Sequence, residues 1–415
     1  MGGAELMEKI NFDLNQFFNT MSYLLDFVEV DVFSASVNHS RRIAYVALRL
    51  AEKFELSNDE KCDLATYCFL HDNGISQEML TAGIAAKRMT KLQRLEGLKL
   101  HCTEGQGNIS EIPFLNNNQP ILKFHHENYD GTGFFRLEGT EIPLMSAIIS
   151  MVDYLDNMYH LQENNHQNVN TFVRANVGKR FSRELASAFL SLNTNDKFRY
   201  DLKDFAIERS LSDLLIPNVK ILDWKEVFNI AKIFSKIIDS RSKYTENHTG
   251  NIIRTAEIAA EYYGFDENEK YKFLIAAALH DIGRLTLRSS LLEKKEKLTN
   301  EQVQLLKSHS YYTKFALHQI YNFGDISNWA ANHHEKLNKK GYPEGLGAQE
   351  LDFNSRLLAC LDIYQAFREE RPYRKGLSYQ QTYTMMQKMV LSKSIDAGII
   401  NDFIPTLTQK LRMEM

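Results

Sequence analysis

The sequence predicts an all-α protein made of two helical bundles in tandem. Three observations predict this class. Equivalent positions recur about 209 residues apart, the chain contains only seven prolines, and signatures of helix starts occur in both halves. No stretch alternates apolar and polar residues for long enough to indicate a sheet.

Chemically similar anchors mark the internal repeat and keep register to within one residue. In sequence order the matching pairs are His39 and His248, His71-Asp72 and His280-Asp281, His101 and His309, His125-His126 and His333-His334, and Asp153 and Asp362. The boundary between the copies falls in the polar stretch 195–223. We predict domains of residues 7–205 and 206–415.

Helix-start signatures support the helical reading of each copy. Ser57 with Glu60, and Thr299 with Gln302, form capping-box patterns that each open a helix. The segment from about 269 to 279 is apolar nearly all round, which predicts a central helix. The Gly- and Asn-rich segments 130–133 and 338–341 are predicted loops.

Composition limits the classes of function. The chain has 415 residues, of which 44% are hydrophobic and 25% charged, as in soluble globular proteins. Its net charge is −4 at pH 7, whereas domains that bind duplex nucleic acid are usually basic. We therefore expect no duplex nucleic-acid partner, although a small anionic ligand needs only a few local cations.

The chain also lacks the signals of membrane insertion and secretion. No apolar run approaches the roughly 18 residues of a membrane span, and no basic stretch with an apolar core opens the sequence. The cysteines lack CxxC spacing and are interpreted as small buried hydrophobic residues in a reducing compartment; they are Cys62, Cys68, Cys102 and Cys360. We expect a cytoplasmic protein without a membrane partner, and a homodimer remains open.

Histidines concentrate at the repeat anchors. Ten of the 13 histidines lie there, and each copy supplies five histidines and two aspartates. The first set is His39, His71, Asp72, His101, His125, His126 and Asp153, and the second is His248, His280, Asp281, His309, His333, His334 and Asp362. Imidazole and carboxylate ligands suit iron, manganese, nickel or zinc. Both copies are therefore predicted to bind metal.

Seven ligands exceed what a single ion with an open position needs, and they suit two bridged ions. Asp281 is the natural bridging ligand, and the adjacent pair His333 and His334 can point to different ions. Two ions ~3.5–4 Å apart generate hydroxide at neutral pH and stabilise an in-line displacement at phosphorus. The ligand pattern therefore indicates phosphoester hydrolysis.

These residues resemble the HD-GYP domains, a branch of the HD phosphohydrolase superfamily. In the second copy the likeness rests on residues 280–283, on the segment from His333 to Pro343, on Asp362 and on residues 371–374. The resemblance implies hydrolysis of a cyclic dinucleotide, chiefly cyclic di-GMP and in some members cyclic GMP–AMP, with two or three iron or manganese ions. Trinuclear members carry a Glu where this chain has Tyr244, so two ions per site are expected.

The resemblance also implies roles for individual residues. His280, Asp281 and Arg284 are the expected catalytic residues. The expected substrate-binding residues are Arg284, Tyr342, Arg371 and Arg374. Arg284 stands where the family usually has Lys, and Asn338-Lys339 replaces the usual Asp-Gly. The choice between the two messengers therefore stays open.

The first copy keeps its metal-type residues but departs elsewhere. Phe134-Phe135 replaces Tyr-Pro, and Ile75, Gln162 and Asn165 stand where the second copy has Arg284, Arg371 and Arg374. A dianionic substrate would lose most of its charge-assisted hydrogen bonds there. Three interpretations remain: a metal-loaded inactive partner, which we prefer, a second hydrolase for another nucleotide, and a regulatory domain that binds a cyclic dinucleotide.

The sequence thus predicts that the second copy cleaves a 3′–5′ phosphodiester of cyclic di-GMP or 3′,3′-cyclic GMP–AMP and yields a linear dinucleotide. One alternative is an HD-superfamily phosphohydrolase acting on nucleotide monoesters or triphosphates. Another is a non-catalytic regulator that binds a cyclic dinucleotide.

Overall fold

The computed structural model describes residues 7–33, 36–74, 91–110, 112, 119–239, 248–294, 296–370 and 375–413. The chain divides into two compact units. The first is Asp13–Lys220, and the second joins the segment ending at Phe12 to the residues from Ile221 onward. These limits differ from the predicted domains 7–205 and 206–415.

The first unit is helical. Its helices are α1 (Leu14–Phe33), α2 (His39–Lys53), α3 (Asn58–Phe69), α4 (Lys91–Asn108), α5 (Leu144–Tyr159), α6 (His166–Ala175), α7 (Arg183–Leu192), α8 (Asp196–Asp201) and α9 (Ile207–Ser212). Short 3₁₀ helices occupy Leu122–Phe124 and Gly139–Glu141.

The second unit repeats this architecture. Its helices are α10 (Trp224–Asp239), α11 (His248–Tyr263), α12 (Glu267–Leu279), α13 (Ser289–Leu292), α14 (Asn300–Leu317), α15 (Gly324–Ala331), α16 (Phe353–Arg368), α17 (Tyr379–Leu391) and α18 (Ile404–Met413). Ile282–Thr286 and Asn332–His334 are 3₁₀ helices, and Ile399–Phe403 is a π-helix. The prediction of an all-α fold is confirmed.

Two short strands were not predicted. β1 (Lys9–Asp13) and β2 (Val219–Asp223) form a two-stranded sheet. In β1 the alternate residues Ile10 and Phe12 are buried, which is the two-residue periodicity of a strand. Five residues are too few to separate this pattern from chance, and the pairing partner lies about 200 residues away along the chain.

The predicted helix starts are present. Both capping boxes form, at Ser57 and at Thr299. The predicted central helix α12 begins at Glu267, two residues before the predicted start, because the Asp266 side chain accepts a hydrogen bond from Glu269 N. All residues from Phe273 to Leu279 are buried, so its central position is confirmed. None of the described helices is both long and apolar enough to cross a membrane.

A glycine sets the packing around each histidine cluster. A β-carbon at Gly283 would collide with the carbonyl oxygen of His309 and lie 2.8 Å from Thr313 N. A β-carbon at Gly74 would collide with the carbonyl oxygen of His101 in the same way. Glycine therefore allows the segment after His-Asp to approach the helix that carries the next histidine.

Candidate metal centres

Five elements of the second unit bring together the seven predicted ligands. His248 opens α11, His280 and Asp281 follow α12, His309 lies in α14, His333 and His334 lie in the 3₁₀ helix after α15, and Asp362 lies in α16. Apart from His334, whose side chain is 23% exposed, each of these residues is almost fully buried.

Asp281 lies between two pairs of imidazoles. Its Oδ1 is 3.3 Å from Nε2 of His309 and 3.7 Å from Nε2 of His333. Its Oδ2 is 3.3 Å from Nε2 of His280 and 3.8 Å from Nε2 of His248. Each carboxylate oxygen therefore faces a different pair, which is the arrangement required of a bridging ligand.

The ligand atoms form two clusters. One contains His309, His333 and His334, and the other His248, His280 and Asp281. The adjacent pair His333 and His334 thus belongs to one cluster, whereas the sequence allowed the two to serve different ions.

Asp362 spans the two clusters. Its Oδ1 lies 3.5 Å from His248 Nε2, and its Oδ2 lies 3.8 Å from His334 Nδ1. The two clusters are therefore linked by two carboxylates, Asp281 and Asp362.

Backbone carbonyls orient the rings. The Nδ1 atoms of three histidines lie within hydrogen-bond distance of the carbonyl oxygen three residues earlier: His280 with Ala277 at 2.8 Å, His309 with Leu306 at 2.6 Å and His333 with Ala330 at 2.6 Å. When Nδ1 donates a proton, Nε2 presents a lone pair, as in metal-binding histidines. The rings are therefore held in the form that ligates a cation.

Orphaned polar atoms converge at this place. Within the described part of the chain, Nε2 of His248, Nε2 of His280 and Oδ2 of Asp281 are buried without a hydrogen-bond partner. Such atoms are rare in folded proteins and call for an explanation. Nitrogen and oxygen donors of this kind suit divalent first-row metals, so the residues fit a metal centre.

The electrostatics of the centre reflect its buried charges. Burial opposes the ionisation of Asp281. The positive charges of Arg284 and His280 outweigh this effect and hold the pKa of Asp281 well below its ordinary value. Burial opposes the charge of His280, yet Asp281 and Asp362 raise its pKa to about 9. Burial lowers the pKa of His309 to about 3, so this ring is neutral and available as a ligand.

The expected substrate residues surround the centre in part. Arg284 Nε lies 2.9 Å from Asp281 Oδ1, so the guanidinium contacts the bridging carboxylate. The centres of the Tyr342 and His334 rings are 4.8 Å apart. Lys307 Nζ lies 5.2 Å from the centre of the Tyr342 ring. Arg371 and Arg374 lie outside the described residues, as do Tyr244 and Ile75.

Sequence reasoning assigned no role to Glu335, which anchors the loop carrying Tyr342. Its carboxylate accepts hydrogen bonds from the backbone N–H groups of Glu344 at 2.7 Å, Gly345 at 3.0 Å and Leu346 at 3.0 Å. The signal was present in the sequence, because Glu127 follows the first histidine pair in the same way. Glu127 accepts from Phe135 N and Leu137 N.

The first unit contains a second centre with the same plan. Asp72 Oδ1 lies 3.2 Å from His101 Nε2 and 3.6 Å from His125 Nε2. Asp72 Oδ2 lies 3.6 Å from His71 Nε2. The seven predicted residues come together here as well.

Asp153 repeats the spanning role of Asp362. Its Oδ1 lies 3.3 Å from His39 Nε2, and its Oδ2 lies 3.7 Å from His126 Nδ1. Within the described residues, Asp72 Oδ1 and His71 Nε2 are buried without a hydrogen-bond partner. The first unit therefore fits a metal centre by the same criterion as the second.

The carboxylates behind the first histidine differ between the units. His39 Nδ1 lies 2.6 Å from Asp156 Oδ2, and the buried Arg42 guanidinium donates to Asp156. In the second unit Gln365 stands at the position equivalent to Asp156, and Glu369 lies against His248 instead. The repeat register could not reveal this contact, because the carboxylate has moved one helical turn along the chain.

Two further residues of the first centre escaped sequence reasoning. Glu29 lies in α1, is 2% exposed, and has its Oε2 3.7 Å from His39 Nε2. Cys102 Sγ lies 3.7 Å from His101 Nε2. All four cysteines are buried, as predicted. Burial opposes ionisation of Cys102, but the charge of His125 and hydrogen bonding to His101 lower its pKa to about 7.

In the first unit, Gln162 and Asn165 occupy the positions that correspond to Arg371 and Arg374 of the second copy. The Gln162 carbonyl oxygen accepts a hydrogen bond from Lys203 Nζ. Asn165 Nδ2 donates to the Tyr159 carbonyl oxygen at 3.1 Å. The side chain of Asn165 thus forms a local hydrogen bond, whereas Gln162 is contacted through its backbone carbonyl oxygen.

Comparison with known proteins locates the chain in one family. A family model described as HD domain matches residues 30–201 and 232–399. The 3′3′-cGAMP-specific phosphodiesterase 1 of Vibrio cholerae is 25% identical over 420 residues, which cover 98% of this chain and 94% of that protein. The 3′3′-cGAMP-specific phosphodiesterase 3 of the same organism is 27% identical over 297 residues, or 71% of this chain and 64% of that protein.

A solved structure shows the same fold. The crystal structure of the cyclic GMP–AMP specific phosphodiesterase V-cGAP3 of V. cholerae aligns with a TM-score of 0.67 at 21% identity. The alignment covers 97% of this chain and 99% of that chain. The prediction of a tandem arrangement is confirmed by the two matched segments.

Proposed function

The chain belongs to the HD domain family, and on that premise we propose that it is a metal-dependent phosphodiesterase that cleaves a cyclic dinucleotide to a linear dinucleotide. We assign the reaction to the second unit, and 3′,3′-cyclic GMP–AMP is the proposed substrate. The relative that spans nearly the whole chain is named for that messenger. Cyclic di-GMP is the alternative, because the HD-GYP resemblance favours it.

The observation that carries this proposal is the position of Asp281. Its two oxygens face separate pairs of imidazoles at 3.3–3.8 Å. A protein that held a single structural ion would have no use for a buried carboxylate shared between two sets of ligands. The arrangement supports two ions side by side, which can stabilise both the attacking and the leaving oxygen of an in-line displacement at phosphorus.

The chain's residues have distinct parts in the reaction. Two divalent ions, iron or manganese, would be held by the seven residues of the second set, and when bound they supply a hydroxide nucleophile near neutral pH and Lewis acidity. Asp281 and Asp362 keep the two ligand clusters in fixed relation. The Arg284 guanidinium holds Asp281 ionised and provides positive charge for a phosphate. Arg371 and Arg374 are assigned to the phosphates by family resemblance.

Tyr342 shapes the pocket. Its ring packs against His334 at 4.8 Å, while Glu335 fixes the loop that carries it through three backbone hydrogen bonds. An aromatic ring in this position offers a surface on which a nucleobase can stack.

We propose that the first unit binds metal but does not turn over substrate. Gln162 and Asn165 stand at the positions of the two arginines assigned to the phosphates, and neither of these side chains carries a charge. The alternatives are a second hydrolase and a domain that binds a cyclic dinucleotide as a regulator.

Product analysis by liquid chromatography tests the proposed substrate. The full chain, loaded anaerobically with iron or manganese, receives 3′,3′-cyclic GMP–AMP and cyclic di-GMP in separate reactions, with metal-free protein as the control. We expect the linear dinucleotide of GMP and AMP to form faster than linear di-GMP, and only with metal. A higher kcat/KM for cyclic di-GMP would reverse the order of substrates.

Cleavage of neither messenger, with metal content verified, would overturn the proposed activity. Phosphate release from mononucleotides would then identify a monoester or triphosphate hydrolase. Tight binding of a messenger without product would identify a regulator.

A further inference from the structure

Cys102 and Ser310 occupy equivalent positions beside the two histidine clusters. Each directly follows the helical histidine of its copy, His101 in α4 or His309 in α14. Cys102 Sγ lies 3.7 Å from His101 Nε2, and Ser310 Oγ lies 3.2 Å from His309 Nε2. The clusters around His101 and His309 therefore share one geometry but differ in this donor, a thiol in one and a hydroxyl in the other.

The distances around Cys102 are those of ligands that share one ion. In a tetrahedral site with typical metal–nitrogen and metal–sulfur bonds, two nitrogens lie about 3.3 Å apart and a nitrogen and a sulfur about 3.6 Å apart. Here Nε2 of His101 and Nε2 of His125 are 3.3 Å apart, and the sulfur lies 3.7 Å from His101 Nε2. The donor atoms of His101, Cys102, His125 and His126 all lie within 4.8 Å of one another.

A second observation is an unsatisfied, buried carboxylate oxygen beside this cluster. Asp72 Oδ1 points at it, 3.2 Å from His101 Nε2, and is buried without a hydrogen-bond partner among the described residues. The Asp72 side chain is 7% exposed, so water does not readily satisfy that oxygen. His101 Nδ1 is also buried without a hydrogen-bond partner in the described part of the chain. A cation at the centre of the cluster would neutralise the charge of the carboxylate.

We propose that Cys102 is a thiolate ligand to the ion held by His101, His125 and His126, and that the first unit thereby holds a closed centre selective for zinc. Three imidazoles and one thiolate complete the tetrahedral shell of a structural zinc ion, whereas catalytic sites keep an open position. The equivalent cluster of the second unit has three imidazoles and a serine hydroxyl, which leaves a position open.

This inference is independent of the substrate that the second unit cleaves. A soft thiolate favours zinc over manganese, while nitrogen and oxygen donors accept manganese or iron. The two units would therefore differ in selectivity, with a stronger preference for zinc over manganese in the first unit than in the second. The first ion would then stabilise its unit without taking part in the reaction.

Cobalt replacement tests the thiolate directly. The full chain is freed of metal and titrated with Co²⁺, and the absorbance is followed in the near ultraviolet, where thiolate-to-cobalt charge transfer occurs. We expect a band equivalent to one thiolate per chain in the wild type. Cys102→Ser, which gives this cluster the same donor types as the His309 cluster, should lose the band while its d–d absorbance remains.

Two matched variants complete the test. Cys62→Ser alters another buried cysteine of the same unit, whose thiol donates to Ile216 O, and should leave the band unchanged. Ser310→Cys places a thiol in the second centre and should add a second band of similar intensity. A band that survives Cys102→Ser, or that disappears in Cys62→Ser, would overturn the assignment.

X-ray absorption at the zinc edge gives an independent measurement that does not depend on any variant. The chain loaded with one equivalent of zinc should show a sulfur scatterer at about 2.3 Å from the ion. A shell of nitrogen and oxygen alone would overturn the proposal, even if Cys102→Ser failed to fold. In an equimolar mixture of zinc and manganese, elemental analysis should find a higher ratio of zinc to manganese in the wild type than in Cys102→Ser.

Discussion

Glu369 lies directly behind His248, one of the residues predicted to bind metal. Its two carboxylate oxygens are 2.9 and 3.0 Å from His248 Nδ1, and Gln365 Nε2 donates to one of them at 2.9 Å. Glu369 thus holds the His248 ring with Nε2 facing Asp281 and Asp362. A histidine held by a carboxylate in this way is a stronger and better-oriented ligand.

Glu369→Gln should weaken metal binding by the second unit. The amide can still accept a hydrogen bond but loses the negative charge, and such changes typically cost about 10–100-fold in metal affinity. Competitive titration of manganese measures this loss. Glu370→Gln, at the exposed neighbouring position, is the matched control, and equal affinities for the two variants would contradict the role of Glu369.

Arg284→Ala should reduce kcat/KM for the cyclic dinucleotide. Loss of one charge-assisted hydrogen bond costs about 1.5–3 kcal/mol, which corresponds to about a 10- to 150-fold decrease. Arg284→Lys should keep part of the activity, because a point charge remains. The metal content of each variant is measured as well. Loss of metal would indicate the contact with Asp281, and a lower kcat/KM at normal metal content would indicate a contact with the substrate. The exposed Arg288 provides the control Arg288→Ala, and a similar rate for both alanine variants would exclude Arg284 from the site.

Gly283→Ala should destabilise the second unit and disturb its metal centre. The added methyl group would collide with the His309 carbonyl oxygen, and overpacking of this kind typically costs about 1–3 kcal/mol or more. Calorimetry and metal analysis measure the two effects. Gly250→Ala, in α11, is the control, since its β-carbon would meet no atom of the described residues within 4 Å. Normal metal content in Gly283→Ala would show that the close approach is unimportant.

Asp239 should make the stability of the second unit depend on pH. Burial raises the pKa of this carboxyl from 3.8 to about 6, although Thr249 Oγ1 donates to it at 2.5 Å. The fold favours the protonated form, so the contribution to stability is full below pH 3.8 and is lost as the pH rises through about 6.

Replacing Asp239 by Asn removes this titration. The free energy of unfolding of Asp239→Asn relative to wild type should therefore increase by about 2 kcal/mol between pH 4 and pH 7. Calorimetry of the metal-free chains at several pH values measures the difference. A difference that stays constant with pH would contradict the assignment.

The ligand sets could be predicted because the chain contains them twice. His248 and Asp281 stand out in the sequence because His39 and Asp72 stand in the same register, and residues 280–283 also carry the HD-GYP resemblance. The helical fold followed from the capping boxes and from the continuous apolar character of α12, both of which are local properties of the sequence.

Contacts outside the repeat register could not be predicted. Glu369 takes over in the second unit the contact that Asp156 makes in the first, and it does so from a different position in the helix. Glu29 reaches His39 from α1, where Ile238 stands at the equivalent position of the second copy. Cys102 was interpreted as a small hydrophobic residue, because the direction of its side chain relative to His101 is set by the packing of α4 against the rest of the unit.

The central claim is that the second unit performs catalysis, and a comparison of His280→Ala with His71→Ala tests it most directly. Both variants and the wild type are loaded with manganese, and conversion of 3′,3′-cyclic GMP–AMP to the linear dinucleotide is measured by liquid chromatography. Loss of turnover in His280→Ala, with turnover kept in His71→Ala, is the predicted result. Turnover that survives in His280→Ala, or that disappears in His71→Ala while the second centre still holds metal, would contradict it.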